Sequence, residues 1–484
     1  MKRFFSHPLL ALLAGAGLRL LFVCRYPAAT GDTVLYEQFA TYWLKLGKFA
    51  MDIEGQPTPV DLRMPGYPAF LALVYAITGR TGEDARFAVM LAQILVDLSG
   101  CLVIAALAVV LVRICGADTK SKRVFLTALW LAALCPFIAN YTAVPLTEVW
   151  AVFFTGLAFL LLVLTAALVT GSSVSLTSRL ALTEKDVWKS AALAGFVVGL
   201  GTLMRPEAPL LLVTTFVVLA AWMLPRRQVR AWLVLCVVMS AACAVPLLPW
   251  TMRNAITLHE FQPLTPKDTT LASEVDPKGF VAWEKTWLYR IRDDYLVSWK
   301  LNDEEIHMAD IPNWAFDTPE ERQRVAAVLE TYNDDLTWTA EEDAVFAELA
   351  RERTARHPLR THLWVPLRRT VRIWFTPRIE LIPVSGHVFP LAYMREEDPV
   401  DQEVTILFFL VNVLYVVLAA VGVCKLWRIP AARSALAVLL VYTVLRTCFL
   451  TTVETPEPRY VLECFPAVIA LAAMPLVGRL TPKN

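Results

Sequence analysis

Acidic and guanidinium side chains recur in short polar clusters that border long apolar stretches of the sequence. A carboxylate within hydrogen-bond reach of an acceptor proton can act as a general base, and the planar fork of arginine suits bidentate contact with a phosphate. These residue types can therefore supply proton transfer and anion binding if the fold brings them to one place. The clusters are Thr30-Gly31-Asp32, Arg63 to Pro68, Leu146-Thr147-Glu148, Arg205-Pro206-Glu207, Pro249 to Asn254 and Glu454 to Tyr460.

The elements that must position these clusters are predicted to be membrane-spanning helices. Of 484 residues, 57% are hydrophobic and 18% are charged, whereas a soluble globular chain usually carries about 25% charged residues. Charges are absent from long stretches such as 124–146 and 149–178. Runs of this length span a bilayer as helices, and they lack the alternation of barrel strands. We therefore expect an all-α polytopic membrane protein.

About ten spans fit the apolar stretches, and the lysines and arginines orient them. Placing the N-terminus inside gathers the basic residues of the connecting segments on the inner side and leaves only Arg205 and Arg459 in the short outer connections. This distribution agrees with the positive-inside rule. We predict that both termini are cytoplasmic and that the membrane is a bacterial inner membrane. The predicted spans are 7–24, 87–112, 124–142, 146–170, 188–204, 207–224, 231–250, 404–424, 434–452 and 459–478.

Two long polar regions, 25–86 and 251–403, then face outside. The apolar piece 65–78 in the first region is too short to span, so we expect a helix in the outer interface. In the second region, Thr318 and Thr339 each precede a glutamate by three residues, which is typical of a helix capping box. The predicted organisation is helices 1–7 with the first outer loop over 1–250, a small, partly helical extracytoplasmic domain over 251–403, and helices 8–10 over 404–484.

Composition argues against several other kinds of partner. The net charge of +1 gives no electrostatic case for nucleic acid, and the nine cysteines lie in or beside apolar segments, which suggests no disulfide framework. The histidines of the outer domain (259, 307, 357, 362 and 387) lack the spacing of metal ligands. We assign no metal site and no cofactor, while a divalent metal stays open.

In their order, the clusters resemble the polytopic glycosyltransferases of the GT-C fold, in particular protein O-mannosyltransferases and aminoarabinose lipid A transferases. The resemblance covers most of the chain outside 265–400. Asp32 lacks the neighbouring acid of the mannosyltransferases, which leaves the donor sugar and metal dependence open. The elements that carry the resemblance are Asp32, the R-x-P-G-Y-P sequence from Arg63, Pro-Leu-Thr-Glu ending at Glu148, the glycine-containing stretch ending at Glu207, Pro-Trp-x-x-Arg-Asn ending at Asn254, and Arg459-Tyr460.

The resemblance implies roles for three residues. Asp32 would be the catalytic base, which activates a hydroxyl or amine acceptor while a sugar leaves a polyprenyl phosphate. Arg459, with Tyr460, would contact the lipid phosphate. Asp32 also has a structural alternative, since an aspartate in a Gly-Asp-Thr turn is a good helix N-cap.

The remaining candidates rest on position. Arg205 and Arg253 are further phosphate-binding candidates, or they snorkel or close the outer end of the bundle by salt bridges with acidic neighbours. Glu148 is a second catalytic candidate that orients donor or acceptor, or it complements a helix macrodipole. The residues expected to contact substrate are Arg63, Tyr67 and Glu207.

These features predict a glycosyltransferase that moves a sugar from a polyprenyl-phosphate donor to an unspecified acceptor at the outer membrane face. Its expected partners are the donor lipid, the acceptor and the bilayer. A transporter or flippase of a lipid-linked or anionic substrate is the alternative, and it requires polar groups across the bilayer midplane. A noncatalytic scaffold is a third hypothesis. The polar residues at membrane depth are Arg19, Gln93, Asp97 and Arg446, and an ordinary buried pair of Asp97 with an arginine is the simpler interpretation.

Overall fold

Helices form nearly all of the regular structure in the computed structural model of the chain, which describes residues 7–171, 184–266, 275–386, 388, 398–455, 457–478 and 480. The chain divides into two compact units. Unit 1 comprises Met1–Pro266, Pro377–Leu445 and Leu462–Asn484, and unit 2 comprises Lys267–Thr376 and Arg446–Val461. The predicted domain boundaries near residues 250 and 403 stay a prediction, and each unit is described by itself.

The first part of unit 1 pairs long apolar helices with a short hairpin. The two strands are antiparallel, with Ala50 opposite Pro59, and the turn uses positive φ angles at Glu54 and Gly55. The hairpin was not expected from the sequence, since its strands are only four residues long. The elements are α1 (Pro8–Arg25), α2 (Gly31–Leu46), β1 (Ala50–Ile53), β2 (Gln56–Pro59), α3 (Gly66–Thr78), α4 (Arg86–Ile114), α5 (Ser121–Ala133) and α6 (Pro136–Ala139).

The next part of unit 1 is a bundle in which small residues let helices approach closely. The elements are α7 (Glu148–Val169), α8 (Glu184–Thr202), α9 (Leu210–Met223), α10 (Val229–Ala244) and α11 (Leu248–Thr257). Gly195 and Gly199 of α8 lie against the carbonyls of Met239 and Cys243 on α10, where any side chain would collide. This close approach is a common way for membrane helices to pack.

Among its described residues, unit 2 contains five complete α-helices packed around a core of aromatic rings. Trp283, Trp287 and Trp338 are buried there with Phe346. For these three tryptophans, the expectation of a role in the core is confirmed. The helices are α12 (Lys278–Glu284), α13 (Ile291–Leu296), α14 (Pro319–Asp335), α15 (Ala340–Arg356) and α16 (Val365–Trp374).

The predicted capping signals of unit 2 are confirmed. Thr339 and Glu342 form a reciprocal capping box at the start of α15. At α14, the Thr318 side chain accepts a hydrogen bond from the Glu321 N–H at 3.2 Å. The Glu321 carboxylate accepts from the N–H of Asp317 instead of that of Thr318, so only half of this capping box forms. The helix α15 ends before the His357-Pro358 pair, as expected for the residue preceding proline.

The last helices are α17 (Pro399–Trp427), α18 (Arg433–Leu450) and α19 (Phe465–Ala472). Within the described residues, seven helices are long and apolar enough to cross a membrane, and an eighth span results if the bent pair of Asp118–Ala133 and Pro136–Ala143 counts as one. The chain is thus a multi-pass helical membrane protein. The predicted count of ten is not confirmed.

When the bent pair at the predicted span 124–142 is counted as one span, the remaining difference in count arises at two predicted spans. At 188–204, α8 begins with charged residues in its first turns, including Asp186 and Lys189. At 207–224, α9 has only 14 residues because it starts after Pro209, whereas a span needs about 20. The short apolar helix expected at 65–78 is present as α3, while its place at the membrane surface stays a prediction.

Candidate active site

Asp32 lies in the first turn of α2, and another residue caps this helix. Thr30 is the N-cap, and its backbone N–H donates to Thr33 Oγ1 at 3.1 Å. The N-cap alternative for Asp32 is therefore wrong. The carboxylate sits where the macrodipole of α2 is positive, and 32% of the Asp32 side chain is exposed, so a second molecule can reach it.

Arg63 contacts Asp32 and thereby joins two of the clusters predicted to act together. Arg63 Nη2 donates to Asp32 Oδ1 at 3.1 Å, and Arg63 is itself 34% exposed. An ion pair this accessible contributes less than about 1 kcal/mol to stability. Its main effect is to orient a carboxylate that stays open to solvent.

A second group of polar and charged residues is buried in unit 1. We call it the Arg205 cluster, and it consists of Thr147, Glu148, Arg205 and Glu463. Arg205 Nη2 donates to Glu148 Oε1 at 2.7 Å, Nη1 to Glu463 Oε1 at 3.4 Å, and Nε to Thr147 Oγ1 at 3.1 Å. Glu207 lies at the edge, 4.0 Å from Arg205 Nη1, and is more exposed. These contacts favour the salt-bridge alternative for Arg205 over direct phosphate binding.

Tyr36, one helical turn after Asp32, connects the two groups electrostatically. Burial raises the pKa of the Tyr36 phenol, and the negative charges of Asp32 and Glu148 raise it further. Arg63 and Arg205 act on the same pKa in the opposite direction. The Tyr36 ring also contacts the ring of Tyr67, and Gly66, the neighbour of Tyr67, donates to the Leu203 carbonyl two residues before Arg205. Asp32 and the Arg205 cluster therefore belong to one neighbourhood of unit 1.

The Arg-Met-Pro-Gly-Tyr-Pro element reaches this neighbourhood through a backbone contact at Gly66. The Gly66 N–H donates to the Leu203 carbonyl oxygen at 2.8 Å. A side chain at position 66 would collide with that carbonyl group. Glycine is thus required by the close approach, and the contact fixes the start of α3 against the segment that leads into Arg205.

Tyr67, predicted to contact substrate, is fully buried and takes part in a positioning network. Its hydroxyl donates to Gln93 Oε1 at 2.7 Å, and its ring contacts the Tyr36 ring at 5.1 Å between centroids. Gln93 Nε2 donates in turn to the carbonyls of Thr142 at 3.2 Å and Val144 at 2.9 Å. The network links α2, α3 and α4 to the segment that precedes Glu148.

Arg253, a predicted phosphate ligand, contacts backbone carbonyls. Its Nη1 donates to the Val60 oxygen at 2.8 Å and its Nη2 to the Phe49 oxygen at 2.6 Å. The guanidinium also lies 5.2 Å from the centre of the Trp250 ring. Arg253 thus ties both ends of the hairpin to α11, and its phosphate role stays a prediction.

An apolar cavity of about 560 Å³ adjoins these residues. Gly66 and Leu203 form part of its wall together with Trp43 and Trp250, and Lys48 and Arg253 supply its cations. The volume falls within the usual range for small-molecule sites. The cavity therefore has room for an extended apolar group beside the contact that fixes Arg205.

Arg459 and Tyr460, the phosphate contacts implied by the resemblance, lie in unit 2. Arg459 forms an ion pair with Glu457, with Nη2 donating to Oε1 at 3.0 Å, and its guanidinium lies 5.3 Å from the centre of the Tyr460 ring. A common site with Asp32 stays a prediction.

The segment that leads to Arg459 is held by a buried arginine of unit 2. Arg369 Nε donates to the Leu288 oxygen at 2.8 Å, and its Nη1 donates to the carbonyls of Thr451 at 3.3 Å and Val453 at 2.8 Å. Burial lowers the pKa of Arg369 to about 10. The carbonyl contacts fix the chain a few residues before Arg459.

Two buried carboxyl groups near Arg369, Glu284 and Asp294, form what we call the Glu284 pair. Ser298 Oγ lies 2.5 Å from Glu284 Oε1 and 2.9 Å from Asp294 Oδ1. A serine hydroxyl has one proton, so both contacts are hydrogen bonds only if a carboxyl group supplies another. Consistently, burial raises the pKa of Asp294 to about 6 and raises that of Glu284 well above its usual range.

The sequence analysis missed Glu463 and Tyr442. Glu463 is buried beside Arg205, and the Tyr442 hydroxyl donates to Glu463 Oε2 at 3.2 Å. The available signal was a glutamate inside the predicted span 459–478, because ionisable residues within spans usually have specific partners. The sequence could not show that Arg205 is the partner of Glu463, because the two residues are 258 positions apart.

Two polar residues at predicted membrane depth form an ordinary buried pair, as expected. Arg19 and Asp97 form an ion pair, and Arg19 Nη1 also donates to the carbonyls of Gly15 at 2.9 Å and Ala133 at 2.7 Å. Arg446 is fully buried in unit 2. Within the described residues, no group of three or more histidine, cysteine or acidic side chains is placed to hold a metal ion, and His387 lies outside them.

Among solved structures, the chain is similar to an archaeal oligosaccharyltransferase and to a bacterial enzyme. The first is AglB from Archaeoglobus fulgidus in complex with an inhibitory peptide and a dolichol-phosphate, at 14% identity and a TM-score of 0.49, covering 98% of this chain and 50% of that one. The second is ArnT from Cupriavidus metallidurans bound to undecaprenyl phosphate, at 11% identity and a TM-score of 0.42, covering 96% and 76%. This chain thus spans about half the length of the archaeal protein.

No protein-family model and no curated protein sequence matches the chain. At these identities and TM-scores, the likeness concerns the general course of the chain and assigns no role to a residue.

Proposed function

We propose that this protein is a glycosyltransferase that moves a sugar from a polyprenyl-phosphate donor to an acceptor hydroxyl or amine, with Asp32 as the general base. The observation that carries the proposal is the accessible Asp32 carboxylate, oriented by Arg63 and close to the Arg205 cluster through Tyr36. An exposed base beside a buried charge cluster is an arrangement typical of a catalytic site.

In the proposed step, the acceptor oxygen or nitrogen forms a bond to the anomeric carbon of the sugar as the bond from that carbon to the phosphate oxygen breaks. The lipid phosphate leaves with the bonding electrons. Asp32 accepts the proton that the acceptor loses, and general bases of this kind usually accelerate a reaction by about 100-fold to 10,000-fold.

The other residues take supporting roles in this proposal. Arg459 and Tyr460 contact the lipid phosphate, as the resemblance implies. Glu148 orients a sugar hydroxyl, and Arg205 holds Glu148 in place. The apolar cavity beside Gly66 receives part of the isoprenoid chain. Arg253 keeps the hairpin against α11 and so shapes that cavity.

The transporter alternative is less well supported. It requires polar residues at membrane depth that are available to a moving substrate. Arg19 and Asp97 instead contact each other and nearby carbonyls, and Gln93 is bonded to Tyr67 and to the carbonyls before Glu148. These fixed internal contacts are typical of residues that stabilise the helix packing, and they leave the side chains unavailable to a moving substrate.

The test compares Asp32→Asn with Asp84→Asn, an exposed acid elsewhere in unit 1. Purified protein in vesicles is given polyprenyl-phosphate monosaccharides, and release of polyprenyl phosphate is measured. We expect the wild type and Asp84→Asn to consume a donor and Asp32→Asn to lose at least about 100-fold in rate. Full activity of Asp32→Asn would remove this residue from the mechanism, and movement of the donor across the vesicle without chemical change would favour a transporter.

A further inference from the structure

A groove of about 800 Å³ lies between α5 and α17 in unit 1, away from the residues discussed so far. Its α5 wall consists of two rows of side chains at helical spacing. One row runs from Lys122 through Leu126 and Trp130 to Leu134, and the other from Arg123 through Thr127 to Leu131. Residues four positions apart lie on one face of a helix. Each row is therefore apolar or neutral along its length and headed by a cation.

The opposite wall is apolar and is held at a fixed distance. It consists of Val411, Leu414 and Tyr415 on α17. The Tyr415 hydroxyl donates to the Leu131 carbonyl oxygen at 2.7 Å, which bridges the two walls. Arg123 Nη2 donates to the Leu476 carbonyl oxygen at 3.2 Å at the cationic end. These bonds hold the groove open as part of the fold.

The length of the groove matches one leaflet of a bilayer. From Lys122 to Leu134 the chain rises about 18 Å, at about 1.5 Å per helical residue. Half of the hydrocarbon core of a bilayer is about 15 Å thick. An acyl chain that starts at the headgroup level beside Lys122 would therefore reach the deep end of the groove.

The positive charge at the cationic end of the groove favours a lipid with an anionic headgroup. Lys122 and Arg123 are exposed there, and among the described residues no acidic side chain lines the groove. The turn before α5 contains Lys120 and Asp118, and Asp118 is 3.9 Å from Arg113 in the last turn of α4. Basic pockets between spans on the cytoplasmic side are known to bind anionic lipid headgroups, and the charge distribution predicts that this end faces the cytoplasm.

We propose that this groove binds an anionic phospholipid of the inner leaflet, with its phosphate between Lys122 and Arg123 and one acyl chain along Leu126, Trp130 and Leu134. The site is separate from Asp32 and the Arg205 cluster, so it stands independently of the proposed transfer reaction.

The first test uses the wild-type protein in a neutral detergent and measures retained lipid by native mass spectrometry and stability by thermal melting. Phosphatidylglycerol should be retained and should raise the melting temperature, because a ligand that binds the folded state stabilises it. Phosphatidylcholine with the same chains and inorganic phosphate should do neither. Equal retention of phosphatidylcholine, or equal stabilisation by phosphate, would overturn the proposal.

The second test separates the groove from surface charge in general. Lys122→Gln with Arg123→Gln should weaken phosphatidylglycerol binding about 30-fold, since each cation near a headgroup contributes about fivefold. The matched control, Arg226→Gln with Arg227→Gln, removes two basic residues from another exposed turn and should change binding less than threefold. Equal weakening in the two double variants would contradict the assignment of the headgroup.

A third variant addresses the acyl chain. Thr127→Trp leaves both cations in place and fills the groove, so lipid retention should fall at least tenfold. Unchanged retention in this variant would show that no chain lies between α5 and α17.

Discussion

The Arg205 cluster and the Glu284 pair both bury two carboxyl groups, yet they solve the problem of buried charge differently. Glu148 and Glu463 share one guanidinium that bonds to both. Glu284 and Asp294 share a serine hydroxyl, while the nearby Arg369 is bonded to backbone carbonyls. The first arrangement places a cation in direct contact with both carboxyl groups. The second favours neutral carboxyl groups, because burial raises their pKa values, so pH should affect the stability of unit 2.

The largest expected effect follows from removing the shared guanidinium. Arg205→Gln leaves Glu148 and Glu463 buried without their cation, and breaking a buried pair in this way usually costs about 3–5 kcal/mol. We expect a marked fall in melting temperature in detergent. The control is Arg324→Gln, which removes an arginine that pairs with Glu348 and Glu352 at the surface and should cost less than about 1 kcal/mol. Equal melting of the two variants would mean that the Arg205 cluster is not truly desolvated.

The Glu284 pair should make stability fall as pH rises. Its folded-state pKa values lie above those of the unfolded chain, so the folded state binds more protons between about pH 4 and pH 6. The negative charge of Glu454 adds to the shift of Glu284, and Arg369 opposes it. For Asp294, a shift from 3.8 to about 6 corresponds to about 3 kcal/mol lost across that window.

Melting of unit 2, followed by tryptophan fluorescence from pH 4 to pH 8, measures this loss. Asp294→Asn removes one of the two titrating groups and should make the pH profile less steep than that of the wild type. Asp334→Asn, at an exposed position of α14, should keep the wild-type profile. A profile as steep as that of the wild type in Asp294→Asn would show that Asp294 does not contribute to the loss.

Gly66→Ala tests whether the Arg205 cluster depends on the neighbouring backbone. The new methyl group would collide with the Leu203 carbonyl, and overpacking of this kind costs about 2 kcal/mol. Gly17→Ala is the control, because a side chain at position 17 meets open space. We expect a lower melting temperature only for Gly66→Ala, with the pH profile of unit 2 unchanged. A shift in that profile would mean that the two groups are coupled.

The smallest effect is expected for Tyr442→Phe. This change removes the hydroxyl that donates to Glu463 Oε2 at 3.2 Å, while Arg205 still pairs with the same carboxylate. Loss of one hydrogen bond to a charged group costs about 1.5 kcal/mol. A loss as large as that of Arg205→Gln would show that the hydroxyl, rather than the guanidinium, is the main partner of Glu463.

Much of the helical architecture could be predicted from the sequence, because apolar runs and capping residues are local signals. The helices after Thr318 and Thr339 and the pairing of Asp97 with an arginine were found in this way. The count of ten spans is not confirmed where a helix is short, as after Pro209. The length of a helix depends on which residues cap its ends, and hydropathy does not measure capping.

The candidate site was only partly accessible to sequence reasoning. The order of the motifs brought Asp32, Arg63 and Arg205 together as candidates; in the structure Arg63 contacts Asp32, and the nearby Gly66 contacts the segment before Arg205. The contacts of Arg253 with carbonyls and of Glu463 with Arg205 could not be predicted, because both partners are far away in sequence. A guanidinium that binds phosphate and one that binds carbonyls have the same sequence signal, and only geometry separates them.

Gln93 has a consequence for how the protein responds to its surroundings. Its amide bonds at once to a tyrosine and to the carbonyls at the bend before Glu148, a place where broken helical hydrogen bonds would otherwise face an apolar interior. An amide neither gains nor loses a proton. The hydrogen bonds of Gln93 should therefore not change with the proton gradient or with the voltage across the membrane. The bend before Glu148 would keep the same conformation whether or not the membrane is energised.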